Sequence, residues 1–146
     1  MRERPCGWSF TTTKREPWKP RGCRDRGSPA GYAQALDLFA GICVRDFEAA
    51  RPWYERLFGG EPSFLPHETE AVWELAEHRF VYVVEDAERA GHATHTLFAE
   101  DLDAVVGQIG ERGLEPANRE TYSNGVRKVT FRDADGNEVG FGGAPL

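Results

Sequence analysis

The chain has 146 residues, a formal net charge of −6, 40% hydrophobic residues and 29% charged residues, which fits one globular domain. No apolar run approaches the length of about 18 residues that a membrane-spanning helix needs. No apolar segment follows the basic N-terminus, so a secretory signal is not indicated either. We therefore expect a cytoplasmic protein without a membrane partner.

The first 32 residues form a basic tail. Residues 1–32 hold eight Lys/Arg and three Asp/Glu, whereas residues 33–146 hold ten and twenty-one. Gly, Pro and Arg dominate the tail without any periodicity, which predicts a disordered segment. Trp8 and Trp18 lie among the cations, a pattern seen where single-stranded nucleic acid is bound. Charged tails are more often only solvated, so we expect no nucleic-acid partner.

The body of the chain repeats one pattern. Residues 41–62 align with residues 96–116, and each copy reads as a strand, an Asp, an amphipathic helix and a glycine, followed by three strands. Further strands are predicted at 62–66, 70–76 and 79–85, and at 117–122, 126–132 and 138–142. These elements predict an α+β domain with two βαβββ modules, at about residues 36–88 and 91–144.

Local signals mark where each helix begins and ends. Asp46 and Asp101 are suited to accept the free N–H groups at the two helix starts. Gly59 and Gly113 can end the helices, and Pro52 should kink the first one. The helical positions expected to face the core are Phe47, Ala50, Tyr54 and Phe58, and then Leu102, Val105, Val106 and Ile109.

The run D-A-D-G-N at residues 133–137 lies between the last two strands. A calcium-binding EF-hand loop needs Gly at its sixth and Glu at its twelfth position. Counted from Asp133, the Gly is fourth and Ala144 is twelfth, so this reading fails. Gly and Asn accept positive φ in tight turns, and the run therefore predicts a β-hairpin.

Three segments together resemble the vicinal oxygen chelate superfamily, which includes glyoxalase I, extradiol dioxygenases and bleomycin-resistance proteins. They are VRDFEAARPWYERLFG (44–59), AEDLDAVVGQIGERG (99–113) and FRDADGNEVGF (131–141). The resemblance covers about residues 36–146. It implies that the modules form a curved, cup-shaped mixed sheet, that the protein is a homodimer, and that metal ligands, where present, occupy four positions in the cup.

This sequence departs from the family at those four positions. The resemblance places them at Phe39, at Thr94, at Gly140 and within a residue of Val83. Divalent cations require imidazole or carboxylate ligands, and these residues offer only one hydroxyl. We therefore expect no metal and no other cofactor.

Strand alternation assigns side chains to the cup or to the helices. Ile42, Val44, Val129, Phe131, Val139 and Phe141 should face the helices. The candidate ligand-binding residues are Phe39, Gly41, Trp73, Tyr82, Thr94, Thr96, Lys128, Thr130 and Glu138. For Trp73 the pattern leaves two placements open, the core and the cup wall.

These residues lead to two functional hypotheses. The first is a bleomycin-resistance-like protein that binds a planar or aromatic organic molecule without metal, with Lys128 favouring an anionic or acceptor group. The alternative is a glyoxalase-, lyase-, isomerase- or dioxygenase-type enzyme with displaced metal ligands, His92, His95 and Glu138. A metal-free enzyme that uses Lys128 or Glu138 as acid or base lies between them.

Overall fold

The computed structural model describes residues 36–145, so the predictions made for residues 1–32 lie outside the described part of the chain. The elements in chain order are β1 (Leu38–Val44), α1 (Phe47–Phe58), β2 (Phe64–His67), β3 (Glu70–Ala76), β4 (Arg79–Glu85), β5 (Thr94–Ala99), α2 (Leu102–Glu111), β6 (Asn118–Thr121), β7 (Arg127–Arg132) and β8 (Glu138–Gly143). A strand, a helix and three strands thus occur twice, which confirms the predicted pair of βαβββ modules and the α+β fold.

The strands form two four-stranded mixed sheets, with the orders β1-β4-β3-β2 and β5-β8-β7-β6. In each sheet the first strand pairs in parallel with the last strand of its module, and the other neighbours are antiparallel. The two sheets therefore have the same topology, as the sequence repeat requires.

The helix ends are capped as their sequences predict. The Asp46 carboxylate accepts the Ala49 N–H at 3.1 Å, and Asp101 accepts the Ala104 N–H at 3.0 Å. Gly59 follows α1 in the left-handed conformation, at φ 86°, which a residue without Cβ adopts freely. Helix α1 continues through Pro52 to Phe58, so the proline does not end it.

One hydrophobic core joins the helices to one face of both sheets. Among the predicted core positions of the helices, Phe47, Tyr54, Leu102 and Ile109 are buried, and Ala50, Phe58, Val105 and Val106 are partly buried against them. The strands contribute Ile42, Val44, Val129, Phe131, Val139 and Phe141, as alternation predicted. Val83 is in the core too. The core spans both modules, so neither module buries its apolar face alone.

The D-A-D-G-N run forms the predicted hairpin between β7 and β8. Asp133 organises it, because one of its carboxylate oxygens accepts the N–H of Asp135 at 3.0 Å and that of Asn137 at 2.8 Å. Gly136 supplies the positive φ of the turn, 101°. The hairpin thus depends on an aspartate side chain bound to the backbone of its own loop.

The same hairpin also binds the first module. Asn137 is fully buried; its side-chain amide donates to the Cys43 carbonyl at 2.8 Å, and its side-chain oxygen accepts the Ala93 N–H at 3.0 Å. The Tyr54 hydroxyl of α1 donates to the other Asp133 oxygen at 2.6 Å. Burial raises the pKa of Tyr54, and the bond to Asp133 raises it further, so the phenol stays protonated as a donor. These bonds fix the orientation of one module against the other.

We expect the substitution Tyr54→Phe to lower the free energy of unfolding by about 1–3 kcal/mol, because it leaves the buried Asp133 carboxylate without one donor. Chemical denaturation measures the difference. Tyr122→Phe is the matched control: Tyr122 is 44% exposed and its hydroxyl makes no hydrogen bond within residues 36–145. Equal stability of the two variants would contradict this role for Tyr54.

Candidate functional site

The face of each sheet that points away from the helices is called here the cup face. In the first sheet the register pairs Phe39 with Phe80 and Gly41 with Tyr82. Their neighbours Ile42 and Val83 are fully buried in the core, so the alternate residues lie on the opposite side. Phe39, Gly41, Phe80 and Tyr82 therefore share the cup face of the first module.

This half of the cup face is aromatic. The rings of Phe39 and Phe80 stack, with centroids 4.5 Å apart and planes 8° from parallel, although Phe39 is 47% exposed. The Tyr82 ring lies flat across Gly41, where an added Cβ would come within 2.5 Å of the ring. Glycine at position 41 thus makes the space that the tyrosine occupies.

The cup face of the second module is polar. The register pairs Thr94 with Glu138, and Thr96 with Gly140, which in turn pairs with Thr130. These residues alternate with the core residues of β7 and β8, which places all of them on one side. Lys128 shares this side, and its Cε stands 2.6 Å from the point where a Cβ on Gly140 would be. The second module therefore brings together five of the predicted site residues, Thr94, Thr96, Lys128, Thr130 and Glu138.

Glu138 has a partner on the same face. Its carboxylate accepts a hydrogen bond from Arg132 at 3.3 Å, and both side chains are partly exposed. An exposed ion pair of this kind contributes little stability, but it does neutralise the carboxylate. Glu138 therefore lies at the rim of the polar half as part of a pair, rather than as an isolated anion.

Trp73 lies in the core. The sequence pattern had left a second placement open, on the cup wall. Trp73 pairs with Val81 on the helix side of the sheet and is 3% exposed. Its ring packs against Tyr54 and Phe58 of α1, and its indole N–H donates to the Gly60 carbonyl at 3.0 Å. Trp73 thus anchors α1 and does not face a ligand in the cup.

The four positions at which the family carries metal ligands can now be assigned from the register. Gly41 corresponds to Thr96 in the repeat, and their strand partners are Tyr82 and Gly140, so Tyr82 rather than Val83 is the counterpart of Gly140. The set is then Phe39, Tyr82, Thr94 and Gly140. Two hydroxyls, one phenolic and one aliphatic, do not provide the donor set of a divalent-metal site.

The alternative ligand set is not assembled. The His95 imidazole lies on the helix side, where its Nε2 makes a hydrogen bond of 2.9 Å with the Gly41 carbonyl, whereas Glu138 faces the cup. His92 is exposed in the turn before β5. Within residues 36–145, no three His, Cys, Asp or Glu side chains come close enough to hold a metal ion.

A pocket with a volume of about 790 Å³ lies where the two modules meet. Its walls are mostly apolar and come from the β1 and β5 edges and from both helices, including Leu38, Ala40, Leu57, Phe58, Leu97 and Val105. Phe80, Thr94 and Thr96 also line it, so it reaches the edges of both halves of the cup face. Small-molecule sites commonly measure about 300–1,000 Å³.

The cup face also carries Phe80, Phe98 and Arg132, which were not among the predicted site residues. Phe80 stacks on Phe39, Phe98 lies against Gly142, and Arg132 pairs with Glu138. Alternation could have assigned all three to this face, because each stands two residues from a predicted site residue of the same strand.

The described residues include no helix that is long and apolar enough to cross a membrane. Within residues 36–145, Tyr54, Asp86 and Arg89 have clearly shifted pKa values. A hydrogen bond from Arg89 lowers the pKa of Asp86 on the surface.

The chain resembles several solved structures. A glyoxalase / bleomycin resistance protein from Catenulispora acidiphila is 59% identical, with a TM-score of 0.73 over 76% of this chain and 100% of that one. A lactoylglutathione lyase from Agrobacterium tumefaciens is 20% identical, with a TM-score of 0.58 over 75% of this chain and 94% of that one. The fosfomycin resistance protein FosX from Listeria monocytogenes is 14% identical, with a TM-score of 0.58 over 77% and 96%. The last two show a shared fold alone.

No curated protein matches the chain. A family model matches residues 35–141, nearly the whole of the repeated body. Together with the 59% identical structure, this match confirms the resemblance that the three sequence segments indicated. The chain belongs to the Glyoxalase/Bleomycin resistance protein/Dioxygenase superfamily.

Proposed function

We propose that the protein binds a planar or aromatic organic molecule on the cup face, without a metal ion, as a homodimer in the cytoplasm. The observation that carries the proposal is the stacked pair of Phe39 and Phe80, whose rings stay accessible on the cup face. A flat ligand can extend this stack, since parallel rings attract each other beyond the area they bury. The name of the 59% identical relative, glyoxalase / bleomycin resistance protein, agrees with a binding role.

The polar half of the cup face supports the same proposal. Ligand sites combine apolar walls with a few polar groups that fix orientation. Here the aromatic residues of the first module are complemented by Thr94, Thr96 and Lys128 of the second. The pocket between the modules touches Phe80, Thr94 and Thr96, so a ligand seated at this edge contacts both halves.

The proposed homodimer is supported by apolar side chains at the surface. Leu36, just before β1, and Leu38, at its start, are 49% and 66% exposed, and Phe64 and Leu65 of β2 are 46% and 49% exposed. Exposed apolar patches commonly mark contact surfaces between protein chains. A second copy of the chain would remove these side chains from water.

The competing hypothesis is a metal-dependent enzyme of the lyase, isomerase or dioxygenase type. It lacks geometric support, because His95 and Glu138 face opposite sides of their sheet. The metal-free variant of the enzyme hypothesis needs an acid or base in the cup. Of its two candidates, Glu138 is paired with Arg132, whereas Lys128 makes no ion pair within residues 36–145. We favour binding without turnover because the accessible aromatic stack is the observation that carries the proposal.

Native mass spectrometry of the untagged, full-length protein tests metal, ligand and subunit count together. We expect the mass of a dimer, a retained organic molecule or an empty site, and less than stoichiometric zinc, iron, nickel or manganese. A stoichiometric content of any of these metals would overturn the metal-free proposal. A purely monomeric species would overturn the dimer alone.

The aromatic stack can be tested with a neutral planar probe, 2-naphthamide, titrated into isotope-labelled protein and followed by NMR. We expect Phe39→Ala to weaken its binding about three- to tenfold, because one of the two stacking partners is lost. Tyr122→Ala is the matched control, since Tyr122 is 44% exposed and Phe39 is 47% exposed. If both substitutions weaken binding equally, or the probe perturbs only signals outside the cup face, the proposed site is wrong.

A further inference from the structure

Lys128 has an unusual position for a lysine in a strand. Its stem leans over β8 and covers Gly140, with Cε 2.6 Å from the point where a Cβ would stand. The Thr96 hydroxyl oxygen lies 3.3 Å from that same point, on the far side of the glycine. The end of the lysine stem therefore lies over β8, on the polar half of the cup face. Any side chain at position 140 would displace it.

The Lys128 ammonium has no anionic partner within residues 36–145. The carboxylate opposite it in the register is Glu120 on β6, but no ion pair joins the two, because the lysine leans the other way, towards β8. Glu138 is paired with Arg132. Lys128 is nevertheless half-buried, and a cation that is partly removed from water without a partner carries an unrecovered desolvation cost.

The two threonine hydroxyls near Lys128 also lack hydrogen-bond partners within the described residues. Thr96 and Thr130 flank Gly140 on either side in the sheet, and neither hydroxyl makes a hydrogen bond within the described residues. Thr130 is only 3% exposed. Three potential donors thus surround one glycine, and the ammonium is the one charged group among them. The hydroxyls can donate or accept, so together with the cation they can all donate to an incoming anion.

We propose that Lys128, Thr96 and Thr130 form a carboxylate-binding subsite centred over Gly140, so that the ligand of the cup face is an aromatic carboxylate. The inference rests on the proposed function and specifies its ligand class. The ammonium and hydroxyls receive the carboxylate, and the aromatic body extends towards Phe39 and Phe80. The lysine stem then covers Gly140, one of the four positions at which the resemblance places metal ligands, and Gly140 is required because the stem occupies the space above it.

The test compares 2-naphthoate with its neutral analogue, 2-naphthamide, on the full-length protein. The chain has three lysines, Lys14, Lys19 and Lys128, so lysine-selective ¹³Cε labelling yields a signal for the subsite and two internal controls. We expect naphthoate to bind about tenfold or more tightly than naphthamide, and to shift the Lys128 signal alone. The substitution Lys128→Met should remove this preference by weakening naphthoate much more than naphthamide, and Lys128→Arg should retain most of it.

Gly140→Ala supplies a second, independent variant. The added methyl should push the Lys128 stem aside and reduce the preference for naphthoate, although it leaves every charge in place. Gly60→Ala is its control, since nothing lies within 4 Å of a Cβ at that position. Amide spectra of each variant confirm that the fold is intact before binding is compared.

The subsite is refuted if naphthoate and naphthamide bind equally well, or if Lys128→Met weakens both to the same extent. A titration with acetate, which lacks the aromatic body, separates the two proposals. A shift confined to Lys128 supports the subsite even if neither naphthyl probe binds, in which case the aromatic ligand proposal fails alone. A shift shared equally by all three lysines refutes the subsite.

Discussion

The carboxylate of Asp133 and the side-chain amide of Asn137 hold the two modules in one relative orientation. Asp133 receives two backbone N–H groups of its own hairpin and the hydroxyl of Tyr54, while Asn137 joins the carbonyl of Cys43 to the N–H of Ala93. Both residues are buried, so each bond forms in a medium where an unmade bond would be costly. The network ties the hairpin before β8 to the end of β1, and with it sets the relative positions of the two halves of the cup face.

The duplicated scaffold has diverged at equivalent cup positions. In the first module a glycine in β1, Gly41, accommodates the ring of Tyr82. In the second module the glycine is in β8, where Gly140 accommodates the stem of Lys128. Each glycine leaves room on the cup face for a long neighbouring side chain. This side chain is aromatic in the first module and cationic in the second. The same topology therefore produces an apolar half and a polar half, which suits a ligand that itself has two chemically different ends.

The sequence predicted the local features well and the distant ones poorly. Asp46 and Asp101 act on N–H groups three residues away, and the Asp133 hairpin forms within five residues, so their signals are contained in short segments. The bond from Tyr54 to Asp133 spans 79 residues, and no local pattern indicates it. The placement of Trp73 likewise depended on which face of β3 meets α1. Alternation assigns residues of one strand to opposite faces, but only the pairing between strands decides which face is the core.

The hydrogen bonds between the two modules occur at separate points along their junction, and the pocket lies next to them. At the hairpin end, β1 is bound through Cys43 to Asn137 and through the Arg45 N–H to Asp135. Further along β1, His95 reaches the carbonyl of Gly41, and beyond that point the strand edges border the pocket. The pocket is also lined by Arg112 of α2, whose guanidinium donates to the carbonyls of Arg56 and Leu57 in α1. Hydrogen bonds therefore join the modules at the pocket as well as at the hairpin. Because binding to the folded state alone shifts the folding equilibrium, a ligand that contacted both modules here would stabilise their junction.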